Sequence, residues 1–109
     1  MTQVTYRETK DWLEMQLSGH AENNIVCAGI SAITQTLYAN IQREEAAGQI
    51  RAEGEMPEPG EMRMKAWTTA ENRDAIRNMF RFTLTGLEEI QQAYPGNIKI
   101  EEERMNGTV

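Results

Sequence analysis

Two residues in this chain could do covalent chemistry together. His20 can act as base and acid near neutral pH, Cys27 supplies a thiol, and six residues lie between them. Each is the only residue of its type among 109. An imidazole beside a cysteine favours the thiolate, the form that attacks a carbonyl, and the same ring can then protonate a leaving amine. The intervening chain can fold back on itself or extend to roughly 20 Å, so the spacing permits contact without requiring it. By type alone, a lone helical cysteine is more often a small buried hydrophobe, and a lone histidine at a strand end a surface or capping residue.

The same counts exclude whole classes of protein. One cysteine forms no internal disulfide, and with one histidine it makes no structural zinc site, so neither metal nor cofactor is expected. The length suits one small domain. Apolar stretches fall well short of the roughly 20 residues that span a bilayer, and Met1–Lys10 is polar, so the chain reads as soluble, cytoplasmic and without a membrane partner. A net charge of -6 repels phosphate and makes nucleic acid an improbable partner. The one candidate basic patch, Arg73, Arg77 and Arg81 at one per helical turn, reads as a solvated helix face.

The elements that must position His20 and Cys27 follow from hydrophobic periodicity. Val4 and Tyr6, then Leu13, Met15 and Leu17, alternate with polar residues, as in two strands that each bury one face. Ser18-Gly19-His20 ends the second strand, and Asn23-Asn24 offers caps for a helix over about 24–44 with Val26, Ile30, Ile33, Leu37 and Ile41 on one side. With Asn24 as cap, Cys27 is the third helical residue, where unpaired backbone N–H groups and the helix dipole stabilise a thiolate and could also hold an oxyanion. Gly19 would let the backbone turn sharply or a substrate come close.

Ile50–Glu55 and Met62–Ala66 read as a hairpin around Pro57-Glu58-Pro59-Gly60, which sets Glu53 and Glu55 opposite Arg63 and Lys65 if the turn centres near Pro59. Thr68-x-x-Glu71 matches a capping box before a second helix reaching about Tyr94, with Ile76, Met79, Phe80, Thr83, Leu87 and Ile90 on one face. Ile98 and Ile100 suggest a short last strand, and 102–109 a frayed polar tail. The order β-β-α-β-β-α-β favours an α+β two-layer sandwich, a mostly antiparallel sheet with two long helices on one face. Its free edges and open face make a homodimer the default expectation. The seven methionines read as core filler, with Met62 and Met64 able to line a peptide groove. Trp12 and Trp67 suit a sheet face or a dimer interface.

Gly19-His20-Ala21, then Ile25-Val26-Cys27-Ala28, Ser31-Ala32 and Thr34-Gln35-Thr36, resemble in order and placement the motifs of the ribosomal-processing cysteine proteases (Prp). The resemblance implies a His20–Cys27 catalytic dyad and a homodimer. It implies as substrate the N-terminal extension of a large-subunit ribosomal protein, cut after a short motif containing aromatic residues, or a phage structural protein bearing a similar motif. Two departures stand out. The family's loop between histidine and cysteine is longer than the one here, and its aspartate three positions before the cysteine is replaced by Asn24. An asparagine can cap a helix or share a hydrogen bond, but it supplies no charge to an imidazolium.

Ser31 matches a family serine one turn after Cys27. Its hydroxyl can position the dyad or simply bond back to the Cys27 carbonyl. Glu22 can orient His20 or face solvent. Three functions remain open on the sequence: a cysteine endopeptidase using His20 and Cys27, a degenerate member that only binds a ribosomal or peptide partner, and a nucleic-acid module using the arginine stripe.

Overall fold

The computed structural model describes residues 1–104. Its elements are β1 (Thr2–Glu8), β2 (Trp12–Ser18), α1 (Asn24–Ala46), β3 (Arg51–Glu55), β4 (Met62–Trp67), α2 (Arg73–Ala93) and β5 (Ile98–Arg104). The expected order holds. The sheet runs β3-β4-β2-β1-β5, antiparallel except for β5, which lies parallel to β1.

Alternation along the strands becomes rows across the sheet. Ile100, Val4, Leu17 and Met62 lie in one row, and Tyr6, Met15 and Met64 in the next. Glu8, Leu13 and Ala66 make a third. Their buried side chains meet Val26, Ile30, Leu37 and Ile41 of α1 and Ile76, Phe80, Leu84 and Leu87 of α2 in one core. The helices approach closely because Gly29 and Gly86 present no side chain, so that Ile90 packs at one crossing and Ile33 at the other. Glu53 pairs with Lys65 and Glu55 with Arg63, the expected hairpin register.

On the uncovered face Trp12 and Trp67 are cross-strand partners, and the Lys65 ammonium sits 4.1 Å from the first ring centroid and 4.9 Å from the second. No helix among the described residues is long and apolar enough to cross a membrane.

Four expectations need correction. The cap of α1 is Asn23, whose side chain accepts from the N–H groups of Ile25 and Val26; Asn24 is the first helical residue. The expected capping box before α2 does not form: the cap residue is Asn72, which makes no side-chain cap bond, and a reciprocal pair one residue further on closes the turn ahead of the helix. Thr69 N–H donates to Asn72 Oδ1 at 2.8 Å and Asn72 N–H to Thr69 Oγ1 at 3.4 Å, because the Thr68 N–H is held by the Asp11 carbonyl at the sheet end. Glu102–Arg104 continue β5 against Tyr6–Glu8, and the rest of the expected tail lies outside the described residues.

The arginine stripe, finally, faces inward. Arg73, Arg77 and Arg81 approach the buried Glu8 carboxylate at 3.9, 3.0 and 4.0 Å, and Arg81 also holds Glu102 at 2.6 Å. Tyr6 donates its hydroxyl to Glu8 Oε1 at 2.9 Å. Burial, then the bond to Glu8, pushes the Tyr6 phenol well above its usual range. Burial would raise Glu8, but hydrogen bonds from Tyr6 and Arg77 and the charges of Arg77 and Arg81 outweigh it and hold the carboxyl below its usual value. Turning α2 to bury its apolar face carries the adjacent arginines over the end of β1, where the only carboxylate in the third core row needs partners.

Candidate active site

At the opposite end of β1 the sheet, α1 and the β3–β4 loop enclose an open cleft of about 520 Å³. Gly19, His20, Cys27 and Ser31 all line it. The fold therefore brings together four of the six residues singled out from the sequence. Asn24 and Glu22 are exposed and do not line the cleft.

His20 leaves the end of β2 through Gly19, whose φ of 90° lies in the region favoured by glycine. A Cβ on Gly19 would stand 2.5 Å from the Met1 carbonyl oxygen, so the turn must be bare to pass the start of β1. The short connection to α1 is tied down along its length. Ala21 is buried in the core, Asn23 caps the helix, and the Asn23 N–H donates to Asn97 Oδ1 at 3.2 Å. A loop held in this way is a fixed strut between strand and helix.

Cys27 is half-buried and reduced, packed against the edge of the core. Because the cap is Asn23, Cys27 is the fourth helical residue and its N–H already bonds the Asn23 carbonyl at 3.0 Å. With Ile25 and Val26 donating to the cap, the first turn has little left for an oxyanion, contrary to expectation. Ser31 sits one turn further on and Gln35 two turns on, both lining the cleft. Thr34 and Thr36 bond back to carbonyls four residues earlier, whereas among the described residues the Ser31 hydroxyl makes no such bond to Cys27. Among the same residues no hydrogen bond joins Cys27 Sγ to His20; such contacts commonly tighten only when substrate is bound.

The far wall was missed in the sequence. Met56, Pro57, Glu58, Pro59, Gly60 and Glu61 read there as a turn, and they form one side of the cleft. The available signal was length, since six residues are more than a tight hairpin needs. Leu17, Ile30 and Met62 give the cleft an apolar floor, and among the described residues its only charged wall residues are Glu58 and Glu61. Of the methionines proposed for a groove, Met62 lines this cleft and Met64 belongs to the core. Among the described residues no cluster of three or more His, Cys, Asp or Glu could hold a metal ion. An apolar trough with a thiol and an imidazole along its side suits an extended peptide.

Three solved structures share this architecture. An essential ribosomal processing protease Prp from S. aureus, bound covalently to a product peptide, matches with TM-score 0.71 at 22% identity, over 94% of this chain and 99% of that one. SMU.848 from Streptococcus mutans gives TM-score 0.71 and 22% identity over 96% of each chain. The S. aureus protease with a substrate peptide gives 0.68 and 20%, over 94% of this chain and 99% of that one. No curated protein matches the sequence at a significant level. The family model described as "Cysteine protease Prp" matches residues 1–99, and the chain accordingly belongs to that family of cysteine proteases.

Proposed function

We propose that the chain is an endopeptidase in which Cys27 attacks the scissile carbonyl and His20 serves first as base and then as acid. The observation that carries this reading is that the only cysteine and the only histidine of the chain line one apolar cleft. Cys27 Sγ loses its proton to the imidazole and bonds the carbonyl carbon. His20 returns the proton to the departing amine, and water then hydrolyses the thioester with His20 as base. Ser31 and Gln35 supply side-chain donors on the cysteine's own helix face, where the first-turn amides are already engaged.

The substrate in this reading is the N-terminal segment of a large-subunit ribosomal protein or of a phage structural protein. The S. aureus relative is a ribosomal processing protease with peptides bound in its structures, which supports a peptide of that kind here. A homodimer is part of the same proposal and is tested by sedimentation. The direct test incubates wild-type and Cys27→Ala protein with candidate ribosomal and phage precursors. One specific cut, absent with Cys27→Ala, is expected; a cut that survives the substitution overturns the assignment.

A further inference from the structure

We infer that Gly60, on the β3–β4 loop, is a positioning residue that sets the orientation of the His20 imidazole. The inference rests on the reading of His20 as the base. Among the described residues no hydrogen bond orients that ring, and the nearest carboxylate in sequence, Glu22, lies outside the cleft. A histidine free to change rotamer spends much of its time away from its thiol.

One neighbour of the exposed ring is the Gly60 backbone. A Cβ built on Gly60 would lie 2.5 Å from both Cε1 and Nε2 of His20, and 3.1 Å from the Gly19 carbonyl oxygen. The ring therefore stands where a side chain at position 60 would be, and one added there would have to push the exposed imidazole into another orientation.

The loop is built to hold that position. Glu61 N–H bonds the Glu58 carbonyl at 3.0 Å, closing a turn with Pro59 at its second position and Gly60, φ 86°, at its third. Proline then a residue of positive φ is the pattern of a type II turn, and proline removes the freedom that would let it drift. The φ alone does not explain the glycine's surroundings. Gly96 has a φ of 89° and nothing within 4 Å of its would-be Cβ. Gly60 meets two requirements where Gly96 meets one.

That contrast supplies the control. Gly60→Asn suits the turn, because asparagine tolerates positive φ, yet it puts a side chain against the imidazole. Gly96→Ala imposes backbone strain with no contact. Since the chain has one cysteine and one histidine, iodoacetamide labelling reports Cys27 and the ring carbon–proton NMR signals report His20 without assignment.

For Gly60→Asn we expect alkylation at neutral pH to slow about tenfold and the His20 signals to move, while Gly96→Ala matches wild type in both. Pro59→Ala adds no atom near the ring, so it tests the same point should the bulkier variant not fold; a smaller slowing and broadened His20 signals are expected. The inference is overturned if Gly60→Asn and Pro59→Ala alkylate like wild type with unmoved His20 signals while His20→Ala slows the reaction. If His20→Ala itself alkylates like wild type, the dyad reading fails and takes this inference with it.

Discussion

The two ends of β1, about 20 Å apart, treat their polar side chains in opposite ways. At the Glu8 end one carboxylate has a tyrosine hydroxyl and three guanidinium groups around it, and the arginines are a quarter to a third exposed. At the Thr2 end His20, Cys27 and Ser31 line an open cleft with hydrogen-bonding capacity to spare. By residue type, Tyr6, Glu8 and three arginines look the more reactive set. Their mutual bonding commits each group to its neighbours, which stabilises the fold and leaves little for a ligand. The site is where the fold positions reactive groups and leaves them unpartnered.

Substitutions should separate these roles. Cys27→Ala should lower peptide cleavage by at least about 10⁴-fold with an unchanged thermal midpoint, measured by single-turnover assay and a melt; nucleophile loss in a cooperating set costs that much. Glu8→Ala should do the reverse. It leaves Arg77 and a buried phenol without their carboxylate, while Arg73 keeps the Lys10 carbonyl and Arg81 keeps Glu102, and after allowing for partial exposure should cost about 2–3 kcal/mol in urea unfolding, with Cys27 alkylation unchanged.

Acid should find the same weakness. Glu8 is held below its usual carboxyl value, so its stabilisation is complete above about pH 4.3, the value of an unfolded glutamate, and fades as pH falls through its folded value. Urea midpoints of wild type should fall more steeply than those of Glu8→Gln over that range. Equal slopes would show that other carboxylates govern the acid limit.

Asn23→Ala should touch both readouts, since its side chain caps the helix that carries Cys27. A loss of about 1 kcal/mol is expected, with alkylation altered as the first turn frays. Smallest of all should be Glu55→Ala. Its 2.8 Å bond to Arg63 is exposed at both ends, so less than about 1 kcal/mol is expected in the same unfolding assay and no change in alkylation.

Much of the fold was legible because its signals are local. Alternation marked all five strands, helical periodicity marked both helices, and charge pairing anticipated the β3–β4 register. Errors fell where the answer depended on a distant partner. Thr68 was expected to cap α2, but its N–H is taken by Asp11, and the reciprocal pair of Thr69 and Asn72 closes the turn ahead of the helix instead. The arginines were expected in water because nothing near them in sequence announces Glu8, some 65 to 73 residues earlier.

For the site, the sequence by itself determined the inventory: one thiol, one imidazole, a strand end and a helix start to carry them. A lone residue of each type leaves no other pairing, whatever the fold. Only the tertiary structure decided that they share a cleft, that the first-turn amides are engaged, and that the second wall is the Pro57–Glu61 loop. The physical reason is range. Periodicity and capping act over a few residues, whereas Gly60 lies against His20 only because β2, β4 and β3 pair in a register set across the whole sheet.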